Sequence, residues 1–79
     1  MKVVNLGFDN AVATQRIVCV ADASSAAMKR LREEARKNHR LIDVTCGRRT
    51  RALVVTDSGH IILSSVQAET LLHRLKEAK

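Results

Sequence analysis

The sequence predicts one small α+β domain over residues 1–79: an antiparallel-rich sheet and two helices in the order β-β-α-β-β-β-α. Two stretches repeat apolar residues at helical spacing, several short runs alternate apolar with polar, and Asp57-Ser58-Gly59 reads as a hairpin turn between two such runs. The 79 residues suffice for one domain, and 28% charged beside 46% apolar residues suits a globular chain. No apolar run approaches the roughly 18 residues of a membrane span.

Val4, Leu6 and Phe8 alternate with Asn5 and Gly7, so a half-buried strand is expected with Phe8 on its core face. A second strand is expected from about Val12 to Val20; Ile17 to Val20 is apolar on both faces, as in a central strand. Asp22, Ser24 or Ser25 can then cap a helix that buries Met28, Leu31 and Ala35 and ends at Asn38-His39-Arg40. Ile42, Val44 and Cys46 form the apolar side of a third strand, with Cys46 expected as a buried core thiol. Gly47 to Thr50 turns into a fourth strand, Arg51 to Thr56, and Ile61 to Ser64 returns. Gly59 suits the positive φ of a bulged hairpin loop. The closing helix buries Ala68, Leu71, Leu72 and Leu75.

Fourteen Lys and Arg against eight Asp and Glu give a net charge of +6, and nine of the fourteen are arginine. Three of them, Arg48, Arg49 and Arg51, crowd one turn where Asp43 is the nearest acid in sequence. A solvated turn can carry such a run. A polyanion gives it a purpose, because planar guanidinium matches phosphate oxygens with paired hydrogen bonds. Arg16 abuts an apolar strand and must face solvent, an interface or a ligand. Arg30, Arg32 and Arg36 alternate with acids on the polar side of a helix and read as a solvated face. With Phe8 its one aromatic, the chain lacks the stacking platforms of single-strand and RNA readers, which favours duplex DNA.

Other chemistry is poorly served. Three histidines and two cysteines occur without Cys-x-x-Cys or paired-His spacing, so neither metal nor cofactor is expected. Asp57, Ser58 and His60 carry triad letters crowded into one turn, which turn chemistry explains. No small-molecule substrate and no enzyme activity are expected. The polar Asn5 interrupts any signal-peptide stretch, and the two cysteines of so small a chain suit a cytoplasmic address, which DNA binding would make nucleoid-associated. Ten alanines and almost no aromatic bulk make the core thin, which suggests self-association as its stabiliser.

Leu41-Ile42-Asp43-Val44-Thr45-Cys46-Gly47-Arg48-Arg49-Thr50-Arg51 resembles the signature of the RemA family of small bacterial DNA-binding regulators. Asn5 to Asn10 and the stretch from Asp57 through Thr70 are similar to it in register. The resemblance implies a LytTR-like α+β unit, assembly into a homo-oligomeric ring, and transcriptional regulation through arginines repeated around that ring. It carries DNA contact to Arg16, Arg48 and Arg49, and by motif to Arg51. The chain departs from the family at Cys46, where Tyr is frequent, at Asp9, and in lacking prolines before the first helix and at Ala68. The expected function is thus a non-enzymatic regulator bound to duplex DNA. The alternatives are a structural or protein-interaction oligomer with an acidic partner, and an RNA-binding protein.

Overall fold

A computed structural model describes residues 2–78. Its elements are β1 (Val3–Gly7), β2 (Asn10–Ala13), a 3-10 turn (Thr14–Arg16), β3 (Ile17–Asp22), α1 (Ala26–Lys37), β4 (Leu41–Asp43), β5 (Ala52–Thr56), β6 (Ile61–Ser64) and α2 (Ala68–Glu77). The α+β class and the two helices agree with expectation. The single strand expected over residues 12–20 is instead two, parted by the 3-10 turn. As a result β1 and β2 form a separate antiparallel ribbon, beside a four-stranded sheet of order β3-β5-β6-β4. That sheet is mixed, since β4 runs parallel to β6.

The sheet is covered on both faces, and strand periodicity decides which residue goes where. Ala52, Val54 and Ile62 point to one side, where they join Leu71 of α2 and Val4 and Leu6 of the ribbon. Leu53, Ile61 and Leu63 point to the other, against Ala35, Met28 and Leu31 of α1. The central strands are therefore β5 and β6. The apolar run at Ile17 to Val20 lies on an edge, and the register shift between Ile17 and Cys19 turns Val18 out to 66% exposure. Leu72, expected in the core, is also exposed; α2 buries Leu71, with Ala68 and Leu75 partly buried beside it.

Helix α1 starts where Ser25 Oγ accepts the amide of Met28 at 3.1 Å, which selects Ser25 among the three candidate caps. It ends as His39 takes a φ of 57° and the Arg40 amide reaches back to the Ala35 carbonyl at 2.8 Å. Gly59 takes the expected positive φ, 84°, in the β5–β6 hairpin.

One buried hydroxyl joins the ribbon to the sheet. The bulge between Asn5 and Gly7 leaves Leu6 out of the β1–β2 ladder. Its carbonyl accepts Ser64 Oγ at 2.9 Å, while the same oxygen accepts the Val66 amide at 3.1 Å. Ser64 is wholly inaccessible to solvent. Replacing Ser64 by alanine leaves the Leu6 carbonyl and the Val66 amide without that partner. The expected cost is about 1–3 kcal/mol of unfolding free energy, read as a lower urea midpoint at unchanged slope.

Candidate nucleic-acid interface

The segment between β4 and β5 is anchored at both ends and projects between them. At its start the Val44 amide donates to the Leu63 carbonyl at 3.1 Å. Thr45 is then buried, and Asp43 Oδ1 accepts both its amide (2.9 Å) and its hydroxyl (2.7 Å). The Thr45 carbonyl in turn accepts the Arg48 amide at 3.0 Å. Between them Cys46 and Gly47 adopt left-handed φ values of 52° and 81°. Cys46 is thus exposed at the bend, where the sequence led us to expect a core thiol; the strand stops at Asp43, three residues before alternation would have buried it. At the far end the Arg51 amide donates to the Ser64 carbonyl at 2.9 Å and its carbonyl accepts the Ala23 amide at 3.1 Å.

This geometry brings Arg48, Arg49 and Arg51 together on an open groove of about 760 Å³. Lys29 and Arg32 of α1 line it too, as do Gln67 to Glu69 at the start of α2. Five cationic side chains line it against two carboxylates, Asp22 and Glu69. Among the described residues none of the three loop arginines enters a salt bridge. Sequence reasoning missed Lys29 and Arg32, although their i,i+3 spacing places them on one strip of helix surface.

A smaller recess of about 350 Å³ adjoins the loop, lined by Phe8, Arg48, Arg49, Arg51 and Ser65. Phe8 is half exposed rather than in the core, and the Arg48 guanidinium carbon stands 6.0 Å from its ring centre. The reason is the β1–β2 turn. Gly7 pairs with Asn10, which leaves Phe8 and Asp9 as a two-residue loop with φ values of 52° and 64°. Alternation through Val4 and Leu6 therefore ends at Gly7, and the ring swings out to solvent.

Arg16 lies elsewhere. It occupies the 3-10 turn, where its carbonyl accepts the Asp57 amide at 2.9 Å and its Nε meets Asp57 Oδ1 at 3.4 Å. Arg51 and Asp57 flank opposite ends of β5, so about 20 Å of strand separates the two arginine groups at roughly 3.4 Å per residue. The Arg16–Asp57 pair is largely exposed, and such pairs contribute at most about 1 kcal/mol. With Asp57 turned to Arg16, Ser58 Oγ meets His60 Nδ1 at 2.7 Å.

Asp22 in the groove and Asp43 at the start of the loop are held ionised by local hydrogen bonds. The Ser24 hydroxyl and amide lower the pKa of Asp22, with a smaller contribution from the Arg49 charge. The Thr45 hydroxyl and amide lower that of Asp43, helped by Arg32 and Arg36. A carboxylate with a depressed folded-state pKa stabilises the fold above its ordinary value of 3.8, and this is lost as pH falls through the lowered value. Asp43→Asn keeps an acceptor for Thr45 without the charge. The variant is expected to remain folded at neutral pH and to lose less stability than the parent between pH 7 and about pH 2, measured by urea titration at each pH.

No helix among the described residues is long and apolar enough to cross a membrane. The model of the family described as RemA-like, extracellular matrix regulatory protein A-like, matches residues 3–75. A "Putative regulatory protein" of Syntrophobacter fumaroxidans is 56% identical over 75 residues, covering 95% of this chain and 80% of the relative. One of the same description from Acetivibrio thermocellus is 53% identical, covering 100% of this chain and 87% of its own length. A third, from Moorella thermoacetica, is 55% identical and covers 95% and 82%. Matched from the start of its first strand into its last helix, the chain belongs to the RemA-like family of regulatory proteins.

Proposed function

We propose that this protein is a non-enzymatic transcriptional regulator that binds duplex DNA through arginines repeated around a homo-oligomeric ring. The observation that carries the proposal is the groove loop. Arg48, Arg49 and Arg51 share one open, net positive surface, and no carboxylate bridges them among the described residues. Like charges held together in this way raise the energy of the isolated protomer and lower it against a row of phosphates. Arg16, one strand length away, supplies a second point of contact. About 20 Å corresponds to roughly six phosphates at 3.4 Å along a strand, so the two groups engage separate stretches of one duplex.

A protomer with three or four such contacts binds weakly. Copies joined in a ring present the set repeatedly, and each further contact then forms at high effective concentration. Selectivity on this reading rests mainly on groove shape and deformability of the DNA. The exposed Phe8 offers one stacking platform to a single strand, so duplex DNA competed against RNA of equal length separates the two nucleic-acid readings. A structural oligomer with an acidic protein partner would show neither affinity.

The Arg48→Ala/Arg49→Ala variant is expected to lose retardation of duplex DNA in a gel shift while keeping the parent's mass in solution. Residual binding should show a salt slope lower by about 1.8 per protomer engaged, at roughly 0.9 per lost phosphate contact. Unchanged affinity in that variant would overturn the proposal. Cys46 adjoins the loop and is exposed. Saturating duplex is therefore expected to slow its alkylation.

A further inference from the structure

Phe8 stands in a place that the fold alone disfavours. A two-residue loop joining antiparallel strands with positive φ at both positions is suited to Asn and Gly, and a bulky aromatic there is strained. Here the loop is Phe8-Asp9, at 52° and 64°. The ring gains little burial in return: it is 49% exposed and belongs to neither core cluster. It is also the one aromatic of the chain.

The turn is nonetheless held firmly. Asn5 Oδ1 accepts the Gly7 amide at 2.7 Å, and Asn10 Nδ2 donates to the Gly7 and Phe8 carbonyls at 3.2 and 3.0 Å. Ser64 fixes the preceding carbonyl from below. A rigid mount thus presents an apolar ring to solvent, with Arg48 over its face and Arg49 and Arg51 lining the same recess.

We propose that Phe8 is a wedge that enters the groove of the bound duplex and unstacks one base step, so that the protein bends the DNA it holds. The proposal rests on the duplex-binding reading above. Cations beside the ring grip the phosphates, and the apolar ring next to them has the base stack as its apolar counterpart, as in proteins that kink DNA with Phe or Leu. Pyrimidine–purine steps unstack most easily, so sites centred on them should be preferred.

The test compares the parent with Phe8→Asn on a duplex of about three helical turns carrying fluorophores at both ends and a central TA step. Asparagine accepts the left-handed φ, so the variant should melt no lower than the parent. The parent is expected to raise energy transfer between the duplex ends. Phe8→Asn is expected to bind about tenfold more weakly and to leave transfer at the level of free DNA when saturated. Phe8→Leu should retain part of the bend, as Leu also serves as a wedge. Equal bending by the parent and Phe8→Asn would overturn the wedge while leaving duplex binding intact. A change in the mass of DNA-free protein on Phe8→Asn would overturn it too, by assigning the ring to a contact between copies. Failure of the parent to bind the duplex would sink both readings, and the Arg48→Ala/Arg49→Ala variant distinguishes the cases by losing affinity wherever duplex binding is real.

Discussion

The arrangement of this molecule depends on Ser64. Its side chain holds the Leu6 carbonyl, its hydroxyl oxygen receives the Val66 amide, and its own carbonyl receives the Arg51 amide. One residue at the end of the most buried strand thus ties the ribbon, the approach to α2 and the end of the arginine loop to a common point. A serine in a dry core is tolerated only because its hydroxyl is used as donor and acceptor at once. An alanine would fill the space nearly as well, but the β1–β2 turn would no longer be registered against the loop. Phe8 and Arg48, 6.0 Å apart from ring centre to guanidinium carbon, stand on the two segments that Ser64 joins.

Strain is distributed in a way that packing does not explain. Among the described residues, four other than glycine have left-handed backbones: Phe8, Asp9, His39 and Cys46. His39 is accounted for as the end of α1, where a reversal frees the chain to enter β4. The other three sit on the two loops that flank the small recess beside the arginines. Each costs on the order of 1 kcal/mol, a sizeable share of what a domain of this size can hold in reserve. Strain concentrated at a charged surface, with the strained side chains exposed, belongs to presentation rather than to folding. The same sum bears on self-association, since a small core carrying this load gains from any buried contact between copies.

Much of the architecture was legible because the signals were local. Ser25, Met28, Leu31 and Ala35 define α1 by capping and spacing, and Asp57-Ser58-Gly59 defines the hairpin by turn chemistry. What escaped depends on interruptions that alternation cannot register. A run such as Ile17 to Val20 looks alike on an edge or at the centre of a sheet; only pairing with β5 on one side alone distinguishes them, and a register shift then exposes Val18. Phe8 follows Val4 and Leu6 in perfect alternation, but the strand ends at Gly7 and the ring leaves the core. Cys46 was misplaced for the same reason, one turn beyond a strand three residues long. In the candidate interface the arginine loop was visible as a run of like charge. The helix residues that line the same groove were not, because Lys29 and Arg32 alternate with acids along α1 and meet the loop only through tertiary packing.

Why the loop arginines stay uncommitted to carboxylates is an electrostatic question with a local answer. Asp22 and Glu69 line the groove with them, and Asp22, like Asp43 at the start of the loop, is engaged by its own turn. Asp22 accepts the Ser24 amide and hydroxyl at the approach to α1, and Asp43 accepts the Thr45 amide and hydroxyl at the end of β4. These hydrogen bonds, rather than the arginine charges, are the leading cause of both lowered pKa values. A carboxylate oriented by two donors of its own turn cannot also form a bidentate fork with guanidinium without giving one of them up. The contrast is Arg16, whose neighbour Asp57 has no such turn partner and closes on it at 3.4 Å. These turn acids therefore do two things at once here: they brace the approach to α1 and the start of the arginine loop, and by being occupied they leave the arginines available to an anion from outside.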